Sequence, residues 1–283
     1  MKPGIYPDLD FDTYKAIEAC NNSTLSKMAI SPADAKWAME NEGESSSAMD
    51  FGSAAHAATL EMDTFHDHYC VEPSLEGRMT QAGKASKQPR RSASFLAEKD
   101  AMEAEGFTTL KAEDFCKALN ISDRIHQHDT AGPLLRRATG TEVSLGWEDH
   151  GVLCKARVDA MEKGAWLGDL KTTRDFPGFY PWVFTKMCVY RQSAWYLRGA
   201  NILGLDCSQF FIIAVDNGPV TKVRCDRVDE LALKAGEIEA GALFYNYRKC
   251  LAADEWPGDV PGLGVAEITD QRLNQLMPQE RTD

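Results

Sequence analysis

Cys154 to Lys171 reads "CKARVDAMEKGAWLGDLK" and continues "TT" to Thr173. It carries two apolar runs on either side of Lys163-Gly164, the pattern of strand, tight turn, strand. With the turn spanning Glu162 to Ala165, facing residues have numbers that sum to 328. Asp159 then lies opposite Asp169, and Arg157 opposite Lys171, all on one face of the sheet. An isolated Asp-x-Lys is a surface ion pair at a strand end. Two aspartates opposed across a hairpin are different, because like charges directly opposite destabilise a strand pair. Such a pair calls for a cation between the carboxylates or a proton on one of them. A divalent ion such as Mg²⁺, which takes a few carboxylate oxygens and keeps waters, is the natural occupant. A lysine beside it is placed to orient a water or to stabilise charge on a transferring phosphate. A one-residue slip would undo the arrangement.

Outward from the hairpin the pattern gives a fold class. "TEVSLGW" precedes it as another strand, and "SQFFIIAVD" and "VTKVRC" follow. One helix, "FYPWVFTKMCVYRQSAWYLRGAN", stands between, and "VDELALKAGEIEAGALFYNYRKCLA" reads as a last helix. Residues 8–130 read as mainly helical. In "SPADAKWAMENE" Ser31 is the N-cap and Pro32 the first helical position. The expectation is one α/β domain over residues 1–283, a central mixed sheet flanked by helices. Within it, residues 1–130 form the helical N-terminal part, 141–250 the core and 251–283 a Pro/Gly-rich tail. The polar loop 77–91 carries Arg78, Lys84, Lys87, Arg90 and Arg91, has little to bury and reads as mobile.

The 283 residues are 43% hydrophobic and 26% charged, ordinary globular values. The longest strongly apolar run, Phe210 to Val215, is far short of a membrane span, and "MKPGIYPDLDFD" lacks the apolar core of a signal peptide. The expectation is a cytoplasmic protein without a membrane partner. Eight scattered cysteines without a C-x-x-C read as reduced thiols. A net charge of −12 argues against coating nucleic acid with the whole surface but leaves room for a local basic track.

"CKARVD", then "GDLKTT", then "YRQSAWY" resemble the PD-(D/E)XK nuclease superfamily, and within it the RecB-like branch, where D…D-x-K is followed by Q-x-x-x-Y. "FGSAAHAATLE" is similar to that branch's helix with a metal-binding histidine. "NSTLSKMAISPADAKW" and "TEVSLGWEDHGVLCKARVD" narrow the resemblance to RecE/exonuclease VIII-like nucleases, over roughly residues 14–250. It implies a restriction-endonuclease-like core with His56, Asp159, Asp169 and the backbone carbonyl of Leu170 as metal ligands, and Lys171 as the catalytic lysine. Glu142 would be a second-metal or outer group, and Gln192 and Tyr196, sharing one helix face at i and i+4, would meet the active site. Ser23, Ser26 and Lys27 would receive a terminal 5′-phosphate, and the five cations of loop 77–91 would contact DNA phosphates.

The activity so implied is 5′-to-3′ digestion of linear double-stranded DNA to mononucleotides, leaving 3′ single strands for recombination. It uses Mg²⁺, replaceable by Mn²⁺, with two ions. The implied partners are further copies in a trimeric or tetrameric ring and a single-strand annealing protein. An iron–sulfur nuclease of the same superfamily and different polarity needs clustered cysteines, and only Cys250 stands near the end of this chain. An inert DNA-binding module is the other alternative, but Asp159, Asp169 and Lys171 are all present.

Overall fold

The computed structural model describes residues 1–41, 47–79 and 84–259. The Ser-rich stretch after Asn41, part of the basic loop and the tail beyond 259 lie outside the described residues. The strands are β1 (Gly4–Tyr6), β2 (Tyr69–Val71), β3 (Thr108–Leu110), β4 (Gly140–Asp149), β5 (Val152–Glu162), β6 (Trp166–Thr173), β7 (Gln209–Asp216) and β8 (Val223–Arg227). The helices are α1 (Phe11–Ala16), α2 (Asn22–Met28), α3 (Pro32–Glu40), α4 (Ser47–Leu60), α5 (Met62–His68), α6 (Ala93–Ala104), α7 (Ala112–Gln127), α8 (Ala131–Arg136), α9 (Val189–Ile202) and α10 (Glu230–Ala253). Six strands form a mixed sheet in the order β1-β4-β5-β6-β7-β8, with β6 and β7 parallel and every other neighbour antiparallel. Strands β2 and β3 make a small parallel pair of their own.

The sheet has a helical layer on each face, as its apolar patterning requires. On β6 and β7, Leu167, Phe210, Ile212 and Ala214 face a core shared with Trp195 of α9 and Phe244 of α10. The alternate residues Leu170, Ile213 and Val215 face Ala55 of α4 and Ile121 and Ile125 of α7. Helix α9 sits close on its neighbours because two glycines leave room. A Cβ at Gly199 would lie 2.5 Å from the Trp147 ring, and one at Gly236 of α10 would lie 2.4 Å from the Tyr190 carbonyl oxygen. That close packing fixes α9 over the sheet, and with it the first turn that faces the hairpin.

The hairpin register is the one the sequence predicts, with Glu162–Trp166, Met161–Leu167 and Ala160–Gly168 paired, numbers summing to 328. Gly164 takes the left-handed conformation the turn needs, φ 79°. Three departures stand out. The long helix expected over Phe179 to Asn201 is broken. A π-helical turn covers Phe179–Phe184, Cys188 is left-handed at φ 51°, and α9 begins only at Val189. Strand β1 pairs with β4 and was not expected from its sequence. The basic loop is also more structured than its composition suggests. Arg78 bonds Glu98 through both terminal guanidinium nitrogens at 2.7 Å, and Arg90 pairs with Glu72, while Lys84, Lys87 and Arg91 are exposed.

Candidate metal centre

The ladder between β5 and β6 stops one pair short of the aspartates. There Asp159 Oδ2 accepts the Leu170 N–H at 2.6 Å, so a side chain replaces the backbone pairing and the strands part. The β4–β5 ladder lapses at the same level. Its register is constant from Gly140–Met161 to Asp149–Val152, but the Glu142–Asp159 pair is missing. Glu142 lies at φ 51°, a region that costs a non-glycine residue about 1–3 kcal/mol. Backbone strain beside the first predicted aspartate has a purpose only if it aims the Glu142 side chain.

The aim is inward. Ligand atoms of His56, Glu142 and Asp159 all lie within 4.8 Å of one another. His56 Nδ1 is 3.5 Å from Asp159 Oδ2 and 3.9 Å from Glu142 Oε1. Helix α4 delivers His56 to this point. Across the gap, Asp169 is 3% exposed, with Oδ2 2.6 Å from Lys171 Nζ and Oδ1 accepting from Gln192 Nε2 at 2.7 Å. The lysine is near Oδ2 without a well-angled hydrogen bond, and among the described residues that oxygen has no hydrogen-bond partner.

Electrostatics follow from the crowding of carboxylates. Burial and then the neighbouring Asp169 and Glu142 push the Asp159 carboxyl up to about 7, although His56 opposes them. Burial disfavours the charged imidazole of His56, but Asp159 and Glu142 outweigh it and raise it to about 9. Glu142 loses by burial yet ends below its ordinary value, because His56 and Arg157 hold its anion. Lys171 is likewise opposed by burial and held above its usual range by Asp169 and Asp159. Tyr196 stays protonated: burial, with the carboxylates nearby, raises its hydroxyl well above the ordinary value.

A histidine nitrogen and the carboxylates of Glu142 and Asp159, with the buried Asp169 carboxylate of β6 outside that 4.8 Å group but acting on it electrostatically, are a fitting donor set for a hard divalent cation. The protons that His56 and Asp159 hold are what such an ion would displace.

Among the other predicted residues, Ser26 is the one whose surroundings differ most from the sequence reading. Its hydroxyl accepts from Arg191 Nη2 at 2.6 Å, so it braces the residue next to Gln192, while Ser23 and Lys27 are exposed. The N-cap of α2 is Asn21. Arg157 is the residue sequence reasoning missed. It does not pair near Lys171. Its guanidinium donates to Glu142 Oε2 at 2.7 Å, to the Leu9 carbonyl at 2.7 Å and to Ser144 Oγ at 3.0 Å. The signal available was its position two residues before Asp159 on a strand, which points it along the same row. All eight cysteines are free.

Comparison with known proteins now has a geometry to meet. No curated protein matches the chain. A crystal structure from Eubacterium rectale, described as a "Putative exonuclease", aligns over 96% of this chain and 99% of its own with a TM-score of 0.53 at 15% identity, a likeness of fold. The structure of SSO0001 covers 72% of this chain and 91% of its own at 15% identity, and its TM-score of 0.26 carries no argument. The model of one family, the PDDEXK-like domain of unknown function (DUF3799), matches residues 12–263. With the six-stranded mixed sheet, and with matching that spans nearly its whole length, the chain belongs to the PDDEXK-like DUF3799 family.

Proposed function

We propose that this protein is a divalent-metal-dependent nuclease, specifically a 5′-to-3′ exonuclease of the RecE type acting on linear double-stranded DNA. The observation that carries the proposal is the meeting of His56, Glu142 and Asp159 within 4.8 Å, beside a buried Asp169 whose Oδ2 lies 2.6 Å from Lys171 Nζ. His56, Glu142, Asp159, Asp169 and the Leu170 carbonyl would hold Mg²⁺ or Mn²⁺, in one or two ions. Such an ion supplies Lewis-acid stabilisation at the phosphate and acidifies water.

The chain's own groups do the rest. Lys171, held protonated by its carboxylate neighbours, places a positive charge where the scissile phosphate gathers negative charge. Gln192 fixes Asp169 through Oδ1 and leaves Oδ2 turned to the site. Arg157 does the same for Glu142, occupying Oε2 and leaving Oε1 on the histidine side. Tyr196 remains a proton donor one turn along from Gln192. In the reaction the water oxygen bonds phosphorus, the bond to O3′ of the outgoing nucleotide breaks, and that oxygen takes up a proton.

The net charge of −12 favours gathering the cations that face DNA into a channel between subunits. We therefore extend the proposal to a trimeric or tetrameric ring that leaves a 3′ strand for an annealing protein. Arg78 and Arg90, already paired within the subunit, would contribute less to that channel than the exposed Lys87 and Arg91. Among the described residues no helix is long and apolar enough to cross a membrane.

The test is digestion, in Mg²⁺, of linear duplex labelled at the 5′ or the 3′ end, beside a closed circle. Early release of the 5′ label as mononucleotide with the circle intact is expected. Rapid loss of the circle would overturn the exonuclease assignment, and earlier release of the 3′ label would overturn its 5′-to-3′ polarity.

A further inference from the structure

Residues 174–188 join the two catalytic elements. They start just after Thr173, two positions beyond Lys171, and end four positions before Gln192. Both ends of the connection are therefore fixed at the candidate site. Its middle is anchored as well. Phe179 is fully buried, Tyr180 and Phe184 pack on the core, and the Tyr180 hydroxyl donates to Asp226 Oδ2 at 2.6 Å. The backbone is irregular, a π-helical turn followed by left-handed Cys188. Both features cost stability and gather at functional sites.

This anchored frame turns four side chains outward. Trp182 is 67% exposed and Met187 66%, large apolar surfaces given to water next to a buried core. Arg174 and Lys186 are exposed too, and neither side chain has an ion-pair or hydrogen-bond partner among the described residues. Where Arg78 and Arg90 are neutralised by glutamates, this connection keeps both of its cations unpaired among the described residues. An aromatic face for bases, interleaved with cations for phosphates, is the chemistry that holds a single-stranded nucleic-acid end without regard to sequence.

We propose that the 174–188 connection grips the end of the DNA substrate. Trp182 stacks on the terminal base with Met187 beside it, and Arg174 and Lys186 meet the flanking phosphates. The assignment rests on the nuclease reading above. It adds to that reading the element that holds the terminal nucleotide open for Lys171.

The test uses a short duplex with 2-aminopurine as its 5′-terminal base, bound to the full chain carrying Lys171→Ala so that it is not consumed. Stacking on an indole quenches that fluorophore. Quenching is expected with Lys171→Ala alone; with Trp182→Phe added the quench should weaken while affinity is kept, since a phenyl ring stacks without an indole. With Trp182→Ala added the quench should disappear, and binding followed by anisotropy should weaken about tenfold. Arg174→Gln with Lys186→Gln should keep the quench and flatten the salt dependence of binding. Unchanged quench and affinity in the Trp182→Ala protein, while the wild-type chain still cuts linear duplex in Mg²⁺, would overturn this assignment alone. A wild-type chain that neither binds nor cuts duplex would overturn the nuclease reading and this assignment with it.

Discussion

Arg191 and Gln192 are neighbours in the first turn of α9, and they face two different kinds of polar interior. Arg191, 1% exposed, is fully matched: Glu239 Oε1 at 2.8 Å, Ser26 Oγ at 2.6 Å and, more weakly, Asn22 Oδ1 at 3.5 Å. The other oxygen of Glu239 accepts from Tyr190 at 2.6 Å. Gln192 bonds Asp169 at the edge of a cluster where Glu142, Asp159 and Asp169 crowd against His56, Lys171 and Arg157. A backbone there is strained, and His56 and Asp159 hold protons that a metal ion would displace. A network whose every charge has its counterpart holds α2, α9 and α10 together. One whose carboxylates crowd together is relieved by held protons or by a metal ion. Matched pairs mark scaffold here, and crowded carboxylates mark the candidate site.

Substitutions should separate the two regions by what they damage. The largest effect is on activity. Lys171→Ala should lower kcat by about 10²–10³-fold, because it removes transition-state charge stabilisation while leaving ligands and fold in place. Single-turnover cleavage of linear duplex, with melting temperature as control, reads both. Wild-type cleavage by Lys171→Ala would return the Asp-x-Lys motif to an ordinary ion pair.

In the matched region the loss should be of stability. Arg191→Met strands Glu239 next to a core and should cost about 3–5 kcal/mol in urea unfolding. Lys155→Met should cost somewhat less, about 2–3 kcal/mol. Lys155 is 3% exposed, and its ammonium donates to the carbonyls of Tyr14 at 2.7 Å, Lys15 at 3.1 Å and Ile17 at 2.7 Å, closing the C-terminal end of α1. If either substitution is neutral, charge balance is a poor guide to scaffold in this chain.

The smallest effect is a pH slope. The Asp159 carboxyl is raised to about 7, so its contribution to metal-free stability is full below its unfolded value near 4 and is lost as pH rises through 7. His56, raised to about 9, contributes fully below about 6.5 and loses that contribution as pH rises through 9. Both act in one direction, so the melting temperature in a chelator should fall as pH climbs from about 5 to 9. A rise over that range would show that the carboxylates do not crowd as described.

Much of this was legible in the sequence, and for definite reasons. The hairpin register follows from the glycine turn, and register decides that Asp159 and Asp169 meet at the point where the strands part. The strands β4 to β8 announce themselves by apolar runs between turn residues. What stayed hidden depends on contacts between distant parts of the chain. Ser26 and Arg191 are 165 residues apart, and nothing local to either says that they bond. Arg78 and Arg90 look available until Glu98 and Glu72 are seen beside them. The break before α9 was hidden because "FYPWVFTKMCVY" keeps an apolar helical rhythm, and a left-handed cysteine has no composition signal. The strain at Glu142 is the same kind of feature, imposed by the neighbours it must reach.

The most direct test of the crowded cluster is to supply the ion that would displace its protons. Thermal unfolding of the metal-free chain can be followed as Mg²⁺ or Mn²⁺ is added, beside Asp159→Asn. An ion that binds only the folded state should raise the wild-type melting temperature in step with its concentration. Asp159→Asn, with one crowded carboxylate removed, should melt no lower than wild type in chelator and should gain little from the metal. A wild-type chain indifferent to both ions, or an Asp159→Asn protein that gains as much as wild type, would contradict the metal centre.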